Sequence, residues 1–451
     1  MSHVIRPLML FSLVLIPAAE SQSAEPLKTD GPLAKYVAKA DDHYGWVKRQ
    51  EGKLNTTQFV ELTLTSQKWQ GTLWKHQLFI YKPSQMKSKS HALLFISGGS
   101  WRKKLEAPIE GDDPQVPDEA RYLALVAEVL KSPVALLRHV PQQPMFGGKH
   151  EDGIIAHTFV QYLKTGDSQW PLLAPMVKSA VRGMDATQEF AAKEWSLKIE
   201  KFTVAGASKR GWTTWLTGAV DRRAVAIAPI VIDMLNMAKQ MQHQKDVWGR
   251  YSEQIEDYTK LRLQERLNTP PGKRLMKIVD PYSYLDTLKQ PKLILIGTND
   301  RYWPLDALNH YWNDLRGEKH ILYVPNNGHG LKDFARVIGT INALHQSAAG
   351  RLKLPKLTWK LDENDEGVHL SIQSDQKPKK VRAWVAHADS RDFRDSKWES
   401  HPARANGTGY EYMLSRPAKG YRAIFGEAVF DADGTPFFLS TNVKIIIAKK
   451  P

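Results

Sequence analysis

Short apolar runs alternate with amphipathic stretches through the middle of the chain. The runs are almost wholly aliphatic and aromatic, and they occupy positions 92–96, 134–137, 202–205, 225–228, 293–296 and 321–324. Helical spacing of apolar residues separates several of them, at 118–131, 175–194 and 331–349, with Gly350 as the residue that ends the last helix. Strands that helices cover on both faces read as continuous apolar runs. The pattern therefore predicts an α/β fold with a doubly wound, mostly parallel sheet.

The flanking segments follow other patterns. Residues 30–90 predict a helix and then a hairpin with strands at 59–65 and 74–81. Residues 233–280 carry no strand signal and have helical spacing, which predicts a helical lid inserted above the sheet. After position 354 short alternating strands are separated by turn pairs such as Asn406-Gly407. We therefore expect an α/β domain at 25–350 and a small antiparallel β-sandwich domain at 351–451.

The first 24 residues predict an export signal. A short basic start at Arg6 precedes an apolar stretch over 8–19, and small residues at 21–24 offer a cleavage site. The apolar stretch is too short to cross a bilayer, and no later segment contains 18 consecutive apolar residues. The sequence therefore predicts a periplasmic or secreted protein without a transmembrane helix.

Composition narrows the chemistry. The 451 residues include no cysteine, which excludes disulfides, thiolate metal sites and thiol nucleophiles, so a covalent catalyst must be Ser, Thr, Lys or a carboxylate. The formal charge of +15 favours either solubility or loose association with an anionic envelope surface. The sequence has no helix-turn-helix, zinc-finger or Walker pattern, and its 15 histidines form no metal-binding motif. We expect no specific nucleic-acid partner, no metal and no cofactor.

Ser208 is the candidate nucleophile. It lies in the stretch GASKRG at 206–211, directly after an apolar run and before a helical stretch. An α/β-hydrolase places its serine on such a sharp strand-to-helix turn, flanked by small residues. The stretch departs from G-x-S-x-G because Arg210 stands where the second glycine usually lies. A serine in front of a helix can also be a simple N-cap, which is the alternative interpretation.

Two further residues complete a predicted triad. Asp300 follows the apolar run at 293–296, and His329, between two glycines, follows the run at 321–324. The order Ser208, Asp300, His329 is the chain order that this fold requires. Taken alone, Asp300 could be a turn residue, and Asp233 is an alternative acid for His329.

An oxyanion hole needs two backbone N–H groups directed at the developing negative charge. One donor is expected from Lys209, the residue after the nucleophile. The second is expected from the glycine-rich loop at 97–101, from either Gly99 or Ser100.

Three residues are weaker candidates for contacts with substrate. Glu151 and Asp152 follow a glycine pair and could bind a cationic group such as a peptide amino terminus. Their alternative role is an acidic first turn of a helix. Trp101, at the end of the predicted oxyanion loop, is a further candidate contact.

The stretch GASKRGWTTWL at 206–216 resembles the PhoPQ-activated pathogenicity-related protein family. The resemblance extends to 228–236, 297–300, 327–329 and 391–394, so it covers nearly the whole mature chain. It implies an α/β-hydrolase-like fold with some similarity to the prolyl oligopeptidase and dipeptidyl peptidase group. It also implies bacterial regulation by the PhoP–PhoQ system, with links to virulence and to tolerance of antimicrobial peptides. The resemblance implies that an arginine at position 210 is a trait of the family. The departure from G-x-S-x-G therefore does not argue for an inactive member.

The favoured function is an exported serine hydrolase that acts by acyl transfer on a peptide or a small ester. Among the substrates a peptide is preferred, with an aminopeptidase or dipeptidyl-peptidase type of activity, and an envelope esterase is the alternative enzyme. A different class, a non-catalytic secreted binding or signalling factor on a hydrolase scaffold, stays open.

Overall fold

The computed structural model describes residues 30–106 and 115–449. The predicted export signal at 1–24 lies outside the described residues. The α-helices are α1 (Pro32–Ala38), α2 (Asp118–Leu130), α3 (Glu151–Thr165), α4 (Leu173–Trp195), α5 (Lys209–Val220), α6 (Met237–Trp248), α7 (Glu256–Thr259), α8 (Leu263–Arg266), α9 (Pro270–Val279) and α10 (Phe334–Ala348).

The first half of the strands precedes the last helix. They are β1 (Gly45–Leu54), β2 (Thr57–Trp69), β3 (Thr72–Lys82), β4 (His91–Ile96), β5 (Val134–Leu137), β6 (Lys201–Ala207), β7 (Ala224–Ile230), β8 (Lys292–Gly297) and β9 (Lys319–Val324). The remaining strands follow it, namely β10 (Leu357–Glu363), β11 (Gly367–Ser374), β12 (Lys380–Ala388), β13 (Glu399–Pro402), β14 (Arg404–Asn406), β15 (Gly409–Ser415), β16 (Tyr421–Ala432), β17 (Thr435–Ser440) and β18 (Lys444–Ile447).

The six apolar runs are the six parallel strands of the central sheet. The order along the sheet is β1-β2-β3-β5-β4-β6-β7-β8-β9, and every neighbouring pair from β5 to β9 is parallel. The β1–β3 meander joins the sheet through an antiparallel pairing of β3 with β5. The predicted α/β architecture with a mostly parallel central sheet is confirmed.

Helices cover both faces of this sheet. Side chains of α1, α3, α4, α5 and α9 pack into one buried cluster, and those of α2 and α10 pack into the other. Along β4, successive side chains alternate between the two clusters, with Leu94 in the first and Leu93 in the second. Burial on both faces explains why these strands are continuously apolar in the sequence.

The segment between β7 and β8 is helical where the sequence predicts a lid. Thr269 begins α9 as an N-cap, since its hydroxyl accepts a hydrogen bond from the Gly272 N–H, and two prolines follow it. Asp280 ends the segment by accepting hydrogen bonds from the backbone N–H groups of Asn236 and Met237, at its start. The segment therefore leaves the sheet and returns to it at one point.

The C-terminal strands match the expected antiparallel β-sandwich domain in part. They are antiparallel and form two sheets, but only β10, β11, β14 and β15 form a separate one. The others extend the central sheet, because β17 pairs with β9 and then with β16. The pairing of β17 with β9 is confined to one position, Ser440 with Ile321, where the C-terminal strands join the edge of the parallel sheet. One 14-stranded sheet therefore runs through both parts of the chain.

Residues 393–398 join the C-terminal part to the loops that follow β8 and β9. The Asn299 side chain donates hydrogen bonds to the carbonyl oxygens of Arg394 and Ser396, at 3.2 and 2.7 Å. The Asn326 side chain accepts from the Trp398 N–H at 2.7 Å and donates to the Trp398 carbonyl at 3.0 Å. Both loops are therefore held in position by a segment distant in sequence.

Replacement of Asn326 by alanine should destabilise the protein. Trp398 is buried, so its backbone N–H and C=O would lose their partners, at a cost of about 1–3 kcal/mol for each buried group left unpaired. Thermal unfolding of Asn326→Ala measures the loss, and Asn268→Ala, on an exposed side chain, is the control that should unfold as wild type does. Equal melting temperatures for the two variants would contradict this account of the contact.

Candidate active site

Ser208 occupies a strained turn between β6 and α5. Its backbone angles are φ 57° and ψ −127°, a conformation that costs a non-glycine residue about 1–3 kcal/mol. Its N–H donates to the Ile230 carbonyl at 2.8 Å, and its own carbonyl accepts from the Trp212 N–H at 3.0 Å. The turn thus has the geometry of a nucleophile elbow.

Two glycines allow the helix to pass close to the sheet. A Cβ on Gly206 would lie 2.7 Å from the Arg210 carbonyl oxygen. A Cβ on Gly211 would lie 2.9 Å from the carbonyl oxygens of both Gly206 and Ile230. The second small residue that the elbow needs is therefore Gly211, one position later than in G-x-S-x-G, which leaves position 210 free for an arginine.

The predicted acid and base are hydrogen-bonded. His329 Nδ1 lies 2.8 Å from Asp300 Oδ2, and Asp300 Oδ1 accepts from the Tyr302 N–H at 2.9 Å. The Tyr302 ring stacks on the His329 ring, with centroids 4.2 Å apart. Asp300 is 5% exposed, so its carboxylate is positioned to orient the imidazole from a protected site.

The other ring nitrogen of His329 faces the nucleophile's cavity. His329 Nε2 is buried and has no hydrogen-bond partner among the described residues, so no Ser208–His329 hydrogen bond is formed. Both residues nevertheless line one cavity. In hydrolases without substrate this bond is often long and shortens when substrate binds. The structure thus places all three predicted residues at one end of the parallel strands.

Asp233 is not the partner of His329. Its Oδ1 accepts a hydrogen bond from the Tyr311 hydroxyl at 2.7 Å, and its Oδ2 has no partner among the described residues. Burial, followed by the charges of Asp300 and Asp306, raises the Asp233 pKa to about 7 despite the Tyr311 hydrogen bond. The alternative acid considered from the sequence is therefore a separate buried group.

Arg210 and Lys209 bind the two acidic residues at the start of α3. The Arg210 guanidinium forms a two-point contact with the Glu151 carboxylate, at 2.7 Å for both nitrogens. Lys209 Nζ lies 2.9 Å from Glu151 and 3.4 Å from Asp152. Burial would raise the pKa of Glu151, but the hydrogen bonds and charges of Arg210 and Lys209 lower it to about 2. Both carboxylate oxygens of Glu151 are therefore already in ion pairs, so the residue is not free for the amine-binding role expected from the sequence.

Arg210 also contacts the loops beside the nucleophile. Its Nε donates to the Val140 carbonyl at 2.5 Å, after β5. A Cβ on Gly98 would lie 2.5 Å from its Nη2, so the glycine lets the loop after β4 lie against the guanidinium. Gln143 connects the same loop to α3, because its amide donates to the Gly99 carbonyl and to Glu151. Loop 97–101 is therefore held beside the nucleophile helix.

The predicted oxyanion donors lie on these two elements. Lys209 is the first residue of α5, and Gly99 and Ser100 lie in the loop after β4, the neighbour of β6. Gly99 has φ 110°, which favours glycine. The choice between Gly99 and Ser100 stays a prediction.

Trp101 lies apart from the catalytic cavity. Its ring contacts His139 edge-on, with centroids 5.7 Å apart, and its Nε1 donates to Glu106 at 3.1 Å. It does not belong to the described residues that line the cavity, so its proposed substrate contact has no support from this geometry.

The cavity is small, apolar and covered by the lid. Its volume is about 70 Å³. The lid provides an apolar wall that includes Met237, Met241, Ile255, Leu263 and Leu267. The polar end, beside Ser208 and His329, includes Asp152, Lys209, Tyr258 and Tyr302.

The lid is attached to the loop that carries Asp300. Gln244, on α6, donates to the Tyr302 carbonyl at 2.9 Å and accepts from the Ser252 N–H at 2.9 Å. Ser252 Oγ donates to the Arg301 carbonyl at 2.6 Å. Asp152 in turn accepts from the lid's Tyr258 hydroxyl at 2.9 Å. The lid thus contacts both the acid's loop and the start of α3.

Sequence reasoning missed the Arg210–Glu151 pair and the stacking of Tyr302. A signal for the pair was present, since two consecutive cations at 209–210 match two consecutive acids at 151–152. Separation along the chain gives no measure of separation in space, so only the fold brings them together. Neither a metal-binding group of three or more His, Asp or Glu nor a membrane-crossing helix occurs in the part of the chain that the structure describes.

Comparisons with known proteins bear on the family to which the chain belongs. Residues 33–394 match the family model described as PhoPQ-activated pathogenicity-related protein. Autocrine proliferation repressor protein A of Dictyostelium discoideum is 32% identical over 435 residues, which cover 88% of this chain and 86% of that protein.

Solved structures of hydrolases show weaker likenesses. Acetyl xylan esterase 1 from a Thermoanaerobacterium species is 14% identical, with a TM-score of 0.44, and the match covers 72% of this chain and 95% of that chain. A puromycin-hydrolyzing peptidase of Mycobacterium tuberculosis is 12% identical, with a TM-score of 0.39, over 66% of this chain and 47% of that chain. Such scores carry no argument about the substrate. The family match and the sequence identity do decide membership: the chain belongs to the PhoPQ-activated pathogenicity-related protein family.

Proposed function

We propose that the protein is a serine hydrolase that acts by acyl transfer. Ser208 Oγ attacks a carbonyl carbon, and His329 Nε2 takes the hydroxyl proton and returns it to the leaving group. Asp300 holds the proton on Nδ1 and stabilises the imidazolium. Water then hydrolyses the acyl-enzyme with His329 as base. The single observation that carries the proposal is the 2.8 Å contact between Asp300 and His329. It leaves His329 Nε2 without a hydrogen-bond partner among the described residues, and Ser208, with its strained backbone, lines the same cavity as His329.

The oxyanion is assigned to the N–H of Lys209 and to that of Gly99 or Ser100. Arg210 is assigned a positioning role, because it contacts the loop after β4, the loop after β5 and the start of α3 at once. A displacement of about 1 Å in such a site can reduce the rate about a hundredfold.

For the substrate we propose a carboxylic ester with a short apolar acyl group. A water molecule needs about 10–15 Å³ of such a volume, so a cavity of about 70 Å³ accepts only a few heavy atoms. Its apolar lid wall, with Met237 and Met241, is suited to an alkyl chain and not to a charged side chain. The engagement of Glu151 with Arg210 and Lys209 removes one group that an aminopeptidase would use.

A peptidase of the aminopeptidase or dipeptidyl-peptidase type is the second candidate. One observation favours it: Asp152 lies at the polar end of the cavity. A free amino group that replaced the Lys209 ammonium beside this carboxylate, now at 3.4 Å, would be held near Ser208.

The site of action also belongs to the proposal. We infer a periplasmic or secreted protein from the amino-terminal sequence, and a loose association with anionic envelope surfaces from the charge of +15. A role in tolerance of antimicrobial peptides under PhoP–PhoQ control is proposed from family membership alone.

A fluorophosphonate probe tests the nucleophile. We expect the wild-type protein to be labelled, Ser208→Ala to be unlabelled, and Asp300→Asn to react more slowly by a factor on the order of 10⁴, as for the acid of other triads. Labelling is measured by intact mass, and Ser90→Ala, on an exposed serine, is the matched control. Folded wild-type protein that resists the probe would instead favour a non-catalytic binding or signalling factor.

Acyl-chain selectivity tests the substrate class. We expect kcat/KM for p-nitrophenyl esters to fall from butyrate to laurate, because the lid closes the cavity. Met241→Ala enlarges the cavity and should shift the preference toward longer chains, whereas Met413→Ala, on an exposed methionine of β15, should leave it unchanged.

Aminoacyl p-nitroanilides test the second candidate, a peptidase. The peptidase would be supported if the protein turned over amides with a free amino group faster than esters. This activity should then be lost when the amino group is acetylated, and also in Asp152→Asn.

The ion pairs of Glu151 predict a pH dependence of stability. The folded-state pKa of about 2 lies below that of an ordinary glutamate, so ionised Glu151 stabilises the fold above about pH 4.5. This stabilisation is lost as the pH falls toward 2. Glu151→Gln should therefore melt at a lower temperature than wild type at pH 7, and the difference should shrink below pH 4.

Melting temperatures between pH 2 and pH 8 measure the effect. Glu366→Gln is the control, since Glu366 is exposed and forms no ion pair with a described residue. A constant difference between wild type and Glu151→Gln over the whole range would refute the ion-pair account.

A further inference from the structure

A second, larger cavity lies at the seam between the parallel sheet and the C-terminal strands. Its volume is about 1090 Å³. The seam opens here because β17 pairs with β9 at a single position, Ser440 with Ile321, whereas β8 pairs with β9 over six positions. The separate four-stranded sheet contributes its edge strand β10 to the opposite wall. The cavity is therefore a wedge between two sheets.

Apolar side chains form one part of the wedge's walls, beside polar side chains such as Asn309, Asn313 and Asn442. The apolar ones include Trp312, Ile321, Leu354, Trp359, Leu439 and Val443. Ile321, Leu439 and Val443 are almost fully buried, and the Trp312 and Trp359 rings lie with their centroids 5.9 Å apart. Burial of an alkyl chain against such side chains removes its methylene groups from water, which favours binding. This part of the walls is therefore suited to an apolar chain.

Lysines dominate the charge around the wedge. Its lining includes Lys319, Lys353, Lys356 and Lys444, against the acids Glu318 and Asp375. Lys353 is 83% exposed and only 3.4 Å from Asp375, and Lys356 is exposed and has no acidic partner among the described residues. Lys319, by contrast, is held inside by the carbonyl oxygens of Trp312 and Leu315. Lys444 pairs with Glu363 at 3.0 Å, so Lys356 is the exposed lysine of the described lining that can bind an anionic group without first leaving an acidic partner.

None of the residues that line this wedge lines the catalytic cavity. The mechanism proposed for Ser208 uses no part of it. A wedge of this volume is at the upper end of the range of ligand sites and far exceeds a packing defect.

We propose that this wedge, defined by the Trp312 and Trp359 walls and the Lys353 and Lys356 mouth, binds an anionic amphiphile with a single alkyl chain. The chain lies between the sheets, and the anionic head lies at the lysines. A neutral ligand would contact the apolar side chains but form no ion pair with the lysines at the mouth. The same lysines would repel a cationic ligand. The head can be a phosphate monoester or a carboxylate, because lysine is a point charge that binds either.

Isothermal titration of the full-length mature protein tests the proposal. The probes are octyl phosphate, octanoate, octyltrimethylammonium and octyl glucoside, each below its micellar concentration. We expect octyl phosphate, octanoate or both to bind, and the anion that binds identifies the head group. The cation and the glucoside should bind at least tenfold more weakly. Ser208→Ala should bind the anions with unchanged affinity, whether or not Ser208 is a nucleophile, so the result does not depend on the catalytic proposal.

Two variants assign the binding to the wedge. Reversal of charge at the mouth, in Lys353→Glu with Lys356→Glu, should weaken the anions at least tenfold. The matched control is Lys193→Glu with Lys198→Glu, which changes the net charge equally at two exposed lysines elsewhere and should change the affinity less than twofold. Thr358→Trp, at an exposed position of β10 that lines the wedge, should weaken binding by occupying part of it.

Three results would overturn the proposal. The first is that neither octyl phosphate nor octanoate binds. The second is that octyl glucoside binds as tightly as the anions. The third is that the two pairs of charge reversals weaken anion binding equally. Melting temperatures of all variants serve as the check on folding.

Discussion

The close approach of α5 to β6 and β7 is the constraint on which the site depends. The helix begins at Lys209, and the carbonyl oxygens of Gly206 and Ile230 lie where the side chain of any residue but glycine at position 211 would stand. This contact forces Ser208 into a conformation that costs about 1–3 kcal/mol, and the surrounding sheet must supply that energy. The displaced glycine, at 211 instead of 210, follows from the same contact.

That displacement permits a buried charge network beside the nucleophile. Arg210 takes the position that a glycine occupies in other hydrolase elbows, and its guanidinium meets Glu151 in a two-point contact. Removing one partner leaves the other without these hydrogen bonds, and because the Glu151 side chain is 36% exposed, water screens part of the resulting loss of stability. The network therefore fixes the relative positions of the nucleophile helix, the glycine-rich loop and α3. It also uses the carboxylate that a peptidase would direct at an amine.

The C-terminal strands belong to the same machinery. They continue the central sheet through β17, and residues 393–398 bind the side chains of Asn299 and Asn326, in the loops that carry Asp300 and His329. The family match extends to residue 394 and so reaches this contact segment. The wedge lies elsewhere on β9, at its start, where the lining includes Lys319, His320 and Ile321 but no residue of 393–398.

The sequence by itself determined the six parallel strands, the helical lid segment and the positions of Ser208, Asp300 and His329, because strands buried on both faces have to be continuously apolar and strand ends converge at one edge. Only the tertiary structure decided that Asp300 and not Asp233 holds His329, that Glu151 binds Arg210, and that the C-terminal strands join the central sheet. Those outcomes depend on distances between segments far apart in the chain, and local periodicity carries no information about such distances.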